Sequence, residues 1–177
     1  MIEKLVGDDR HFRRVAWFFL AASLGVRLAL AARFFGFLTG DDVEILETGL
    51  RWVLHLPYVP WEIRNTLLPA LLVAPMGGLG KGVGLDSPLL LAWLSTVPFA
   101  LLSTLNIYLV FRVVLRLGGD RLAAALSSVL LCIHWVAIGY GSTVYPRTPA
   151  TTCILIAALW AASASSRASS RLGAGAM

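Results

Sequence analysis

Residues 88–111 read PLLLAWLSTVPFALLSTLNIYLVF, and no charged side chain interrupts the run. A helix rises about 1.5 Å per residue, so roughly 20 consecutive apolar residues cross the hydrocarbon core of a bilayer. The stretch therefore predicts a transmembrane helix. Two further charge-free stretches, 122–146 and 148–166, predict spans on the same ground. A fourth, 15–38, is long enough but carries Arg27 and Arg33. Arg33 lies near an end and can snorkel, whereas Arg27 stands about 18 Å along the helix from Val15, far from either face. With no acid in the other predicted spans, an arginine at that depth needs a lipid phosphate, a backbone carbonyl or a residue outside these 177 as partner, and functional and structural roles both stand open for it.

The whole chain agrees with that solvent. Its 177 residues are 58% hydrophobic and 14% charged, against roughly 45–50% and about 25% in soluble domains. One core cannot hide so much apolar surface, because a domain of about 150 residues still leaves roughly 30% of its unfolded surface exposed. The expected architecture is an all-α membrane protein of about four transmembrane helices. The net charge of +5 and pI near 9.8 would suit nucleic acid in a soluble protein, but here the basic residues flank the apolar runs and read as topology signals. Cys132 and Cys153 both lie inside apolar stretches, with no spacing that suits zinc or a disulfide framework. A secretory signal peptide is the rival reading of the first span, with Ala29-Leu30-Ala31 as its cleavage site. Arg27 interrupts the run into that site and the apolar pattern continues past it, which favours a retained helix.

Residues 66–79 are apolar but short, and they contain Pro69, Pro75, Gly77 and Gly78, so they predict an interfacial or re-entrant segment. The charge distribution agrees. With four spans and a cytoplasmic N-terminus, nine basic residues fall inside and four (Arg51, Arg64, Lys81 and Arg147) outside; a fifth span at 66–79 would leave six inside and seven outside. Residues 39–87 then form one large outer loop holding six of the ten acidic residues.

Thr39-Gly40-Asp41-Asp42 reads as a helix start, with Thr39 as cap and acids in the first turn. The helix expected over 41–54 is amphipathic. Val43, Leu46, Leu50, Val53 and Leu54 share one face, and Asp41, Glu44, Glu47 and Arg51 another, which predicts an interfacial helix lying flat on the membrane. The acids either cap and solvate that helix or crowd at the edge of a low-dielectric slab, raise one another's pKa and serve as a general base. Tyr58 and Trp61 suit an aromatic belt, and Glu62 and Arg64 can pair with each other or hold an anionic headgroup.

Acids just outside the first span, an amphipathic helix, then Pro60-Trp61-Glu62, Arg64-Asn65 and a Pro-containing apolar segment resemble the polyprenyl-phosphate-sugar-dependent glycosyltransferases of the C-type membrane fold. The nearest branch is that of the dolichyl-phosphate-mannose mannosyltransferases. Tyr145-Pro146-Arg147-Thr148 is similar to that branch's Ser-Arg-Thr at the start of a span. That branch's histidine is absent here, and Ile45 stands where it has glutamine.

The resemblance implies transfer of a sugar, mannose or another, from a polyprenyl-phosphate donor to an acceptor hydroxyl at the outer or lumenal face. It implies Asp41, then Asp42, as the catalytic base, and Glu44, Trp61, Glu62, Arg64 and Arg147 as substrate-binding residues. Its members are longer, so residues 1–177 correspond to the N-terminal part of such an enzyme. The bacterial cytoplasmic membrane is preferred over the endoplasmic reticulum. Membrane lipid and the donor are the implied partners; nucleic acid is not, and no cofactor or metal is assigned.

The other reading is a non-catalytic multi-pass membrane protein that assembles with partners. Gly77–Gly84 lacks the spacing of a phosphate loop. His134 lies inside an expected span as a lone polar group bonded to a neighbouring helix, and the four-residue spacings Ala21/Gly25/Ala29 and Ala157/Ala161 predict close helix packing.

Overall fold

A computed structural model describes residues 9–34, 40–57 and 69–174, and every regular element among them is helical. In chain order these are α1 (Asp9–Phe34), α2 (Gly40–Val53), a π-helical turn (Pro69–Val73), α3 (Ala74–Gly82), α4 (Pro88–Arg116), α5 (Arg121–Ile133), α6 (Trp135–Gly141) and α7 (Arg147–Ala174). The Thr39 cap and the segment around Tyr58, Trp61, Glu62 and Arg64 lie outside the described residues.

The axis of the fold is α4, which touches every other element. It opens at Pro88, in the first turn, where a missing N–H costs nothing. It runs through Pro98, which removes the donor for the Leu94 carbonyl, and stops at Leu117 before Gly118, whose φ of 91° a glycine adopts freely. The chain turns back at once. Asp120 accepts a hydrogen bond from the Ala123 N–H at 2.7 Å to start α5, and Ser128 Oγ donates to the Ile107 carbonyl at 3.1 Å, so α5 returns antiparallel along α4.

Residues Phe12–Arg33 and Pro88–Arg116 form helices long and apolar enough to cross a membrane. The stretch 122–146, expected as one helical span, is broken. Its two halves, α5 and α6, meet at 64°, and they make a third crossing only if the bent pair is a single span. His134 makes the break. It is extended (φ −66°, ψ 117°), its N–H donating to the Leu130 carbonyl and its own carbonyl accepting from Ile138 N–H, both at 3.0 Å. Its side chain is exposed, not held by a neighbouring helix as the sequence predicts. The stretch 148–166, expected as a span, falls within the helix α7, which is not one of the two, α1 and α4, long and apolar enough to cross; there Thr148 and Thr152 are buried and Asn106 Nδ2 reaches the Thr148 carbonyl at 3.3 Å.

Large apolar side chains cover the outside of these helices. Trp17, Phe18, Leu130, Trp135, Ile154 and Trp160 are each more than 60% exposed. In water such a surface is an aggregation liability, whereas in lipid it meets its own kind. The predicted small-residue stripes face the same way. Ala21, Gly25 and Ala29 are exposed, as are Ala157 and Ala161, and it is Ser23, Arg27 and Ala31 that bury the inward stripe of α1.

At the N-terminal end of α4, α2, the π-helical turn and α3 pack together as a layer. Ile45, Leu46, Val73, Ala92, Phe99 and Val144 are its core, with Leu50 and Leu72 packed against it. The face α2 buries is therefore rotated from the predicted one. Asp42, Ile45, Leu46 and Gly49 point inward, while Val43 is 41% exposed. Close approach is the reason, because a Cβ on Gly49 would stand 2.6 Å from Val73 Cβ. In the described part of 66–79 the π-helical turn Pro69–Val73 runs straight into α3, and this stretch is not one of the two helices long and apolar enough to cross a membrane.

Gly49→Ala should therefore lower stability by about 1–3 kcal/mol, the usual cost of overpacking. Gly78→Ala, whose Cβ would meet nothing within 4 Å, should change it little, and adding Val73→Ala should recover much of the Gly49→Ala loss. Thermal unfolding in detergent checks all three.

Candidate functional site

Arg27 has the largest of the fully buried side chains, at 1% exposure. Its Nε donates to Ser103 Oγ at 2.8 Å on α4, and its Nη1 donates to the Ser23 carbonyl at 3.2 Å and to Ser23 Oγ one turn back on α1. Ser103 Oγ donates in turn to the Ala137 carbonyl on α6 at 3.4 Å. The Cys132 thiol of α5 is an electrostatic neighbour of the guanidinium. Gly141, last residue of α6, closes the site, since a Cβ there would stand 2.9 Å from Arg27 Nε and 2.5 Å from Ser103 Cβ. Nη2 is buried with no hydrogen-bond partner among the described residues. Hydroxyls and a carbonyl hold this cation inside the bundle, and each comes from a helix it fixes in place.

The carboxylates lie at the other level of the fold, on α2. Asp42 is buried at 1% exposure and Glu44 is half-buried. Glu47 is committed to Arg51, its Oε1 accepting from Nε at 2.8 Å and from Nη2 at 2.5 Å. Arg51 Nη1 also donates to the Pro57 carbonyl at 2.8 Å, and Lys81 Nζ donates to the Val53 carbonyl at 3.2 Å. Both bonds satisfy carbonyls at or just beyond the C-terminal end of α2, where cations are favoured.

Arg147 opens α7 and is exposed. Its guanidinium lies 5.7 Å from the Tyr140 ring and 5.6 Å from the Tyr145 ring, and those two rings stack at 4.3 Å with 12° between their planes. That aromatic seat holds an exposed cation in place. The same turn carries Val144 into the core beside Ile45 and Leu46. The elements bearing Asp42, Glu44 and Arg147 are thus joined through one apolar cluster. Trp61, Glu62 and Arg64 fall outside the described residues, and nothing is described of the Asp41 side chain.

Sequence reading singled out Arg27 but not Ser23, Ser103 or Gly141. A serine within an apolar run, such as Ser103, carries no mark of the cation it will meet 76 residues away. No group of three or more His, Cys, Asp or Glu among the described residues is arranged to hold a metal ion. Comparison of the chain with protein-family models, curated proteins and solved structures finds no match.

Ser103→Ala leaves Arg27 Nε buried and unpaired and should cost about 1–3 kcal/mol. Arg27→Met removes the orphaned charge along with the bond, so the double variant should be more stable than Ser103→Ala alone. A double-mutant cycle on unfolding in detergent measures this coupling.

Proposed function

We propose that this chain is the N-terminal membrane portion of a glycosyltransferase that takes its sugar from a polyprenyl phosphate. In this reading four helices cross the bilayer from a cytoplasmic N-terminus, and α2 lies in the outer interfacial layer. The observation that supports it is the joining of α2 to the Tyr145–Thr148 turn through Ile45, Leu46 and Val144. These two stretches, about a hundred residues apart, are the ones that resemble the family's acidic loop and its Arg-Thr motif. A base and a phosphate-binding arginine must act on the same substrate, and shared packing is how a fold holds two distant stretches together.

The acceptor hydroxyl gives its proton to Asp41 and attacks the anomeric carbon. The bond to the polyprenyl-phosphate oxygen breaks and the phosphate leaves with that electron pair. Arg147, seated on Tyr140 and Tyr145, offers its N–H groups to the departing phosphate. Asp42, buried in the layer, serves to position α2 in place of its neighbour as base.

Membranes carrying the complete reading frame should transfer label from a polyprenyl-phosphate sugar. Asp41→Asn should reduce transfer by a factor of about 100 or more, the ordinary weight of a general base, without loss of insertion. Unchanged turnover in Asp41→Asn refutes the base. No transfer from any such donor by an inserted, stable protein favours the assembling, non-catalytic membrane protein instead. Thiol labelling in a Cys132→Ser/Cys153→Ser background tests the orientation: Glu47→Cys should react from outside intact cells, and Arg116→Cys only after permeabilisation.

A further inference from the structure

At the end of the bundle opposite α2, an apolar groove of about 600 Å³ runs between α1, α4 and α5. The antiparallel register fixes which residues share this end. Phe12 meets Phe111 with ring centroids 5.7 Å apart, while Arg27 meets Ser103 further along the same pair of helices. The first turns of α1, the last turns of α4 and the start of α5 therefore lie at one level, and the groove opens there. Its walls are apolar, among them Trp17, Leu20, Ile107 and Val129, and its lining includes three arginines, Arg13, Arg112 and Arg121. Arg112 Nη1 donates to Tyr108 Oη at 2.6 Å, and its guanidinium lies 5.7 Å from the Tyr108 ring, which holds it at the groove.

We propose that this groove is a binding site for one anionic two-chain glycerophospholipid, its phosphate received by Arg13, Arg112 and Arg121 and an acyl chain lying along the apolar walls. Charge complementarity selects that occupant. A volume of this size is typical of a ligand site, and its apolar length calls for a hydrocarbon chain. Arginines from three different helices line it, Arg112 held there by Tyr108, and their positive charge favours an anionic headgroup over a zwitterionic one. A guanidinium receives a phosphate through paired N–H groups, and basic pockets between transmembrane helices are where anionic headgroups settle. A zwitterionic lipid would fill the walls equally well but would bring its own cation to the arginines. The site is separate from the α2 carboxylates, because it lies at the end of the bundle opposite Asp42.

The test uses the intact chain purified in detergent, titrated with phosphatidylglycerol or phosphatidylcholine of identical acyl chains and read by native mass spectrometry. Wild type should hold one phosphatidylglycerol with at least a tenfold preference. Arg112→Gln/Arg121→Gln should bring that preference down to about the level of phosphatidylcholine, and Ala125→Trp, which fills the groove, should remove tight binding of both lipids. Arg14→Gln/Arg116→Gln changes the charge of the same end by the same amount at positions that do not line the groove, and it should keep the preference. Equal loss in that control would overturn the site in favour of general surface attraction, and equal binding of the two lipids by wild type would overturn it outright. Glycerophosphate, which has a headgroup and no chain, should not compete at millimolar concentration; competition would mean a phosphate site without a lipid. Should Arg112→Gln/Arg121→Gln not fold, Arg13→Gln and Ala125→Trp decide in the same way.

Discussion

A guanidinium with 1% exposure, inside a bundle whose outer surface is hydrocarbon-like, constrains everything around it. An arginine buried within a membrane helix carries a large desolvation cost, and the helix holds its place only if the N–H groups find oxygen. Ser23 supplies a carbonyl and a hydroxyl from the same helix, and Ser103 supplies a hydroxyl from α4. A slide of α1 by one turn along α4 would leave Nε facing a hydrocarbon side chain. The polar contact fixes the register that apolar contacts between smooth helices leave loosely defined.

The bend between α5 and α6 belongs to the same constraint. A straight helix over 121–141 would carry Gly141 past the guanidinium, whereas the 64° turn at His134 brings the end of α6 against Arg27 and Ser103. From there the chain passes through Val144 in the core to Thr148 at Asn106, so the break also sets where α7 begins. The buried arginine at one level and the α2 layer at another are two ends of one packed path along α4.

Much of this was legible in the sequence. The charge-free run 88–111 announced α4, the run 148–166 falls within a long helix, α7, and Arg27 stood out as a cation needing a partner. Among the partners foreseen for it, a backbone carbonyl was the correct kind, supplied by Ser23. What the sequence concealed has a physical cause in each case. The break at His134 falls where there is neither proline nor glycine. The small-residue stripes on α1 and α7 face outward because Ser23, Arg27 and Ala31 on α1 and Thr148 and Thr152 on α7 took the inward positions. The inward face of α2 was misjudged because Asp42, Ile45 and Gly49, which were assigned to neither face, turn inward beside Leu46. Gly49, in stripe with Asp42, Ile45 and Leu46, was the available sign that this side of the helix packs closely on another element.

The account therefore depends on Arg27 being dry and bonded to Ser103. Arginine labelled with nitrogen-15, incorporated into the chain in lipid bicelles, reports this directly through exchange of each Nε–H with water. One Nε–H resonance should be strongly protected, should vanish in Arg27→Met and should shift in Ser103→Ala. If every arginine Nε–H exchanges as rapidly as those on the exposed helix ends, the buried clamp does not exist and the register built on it is wrong.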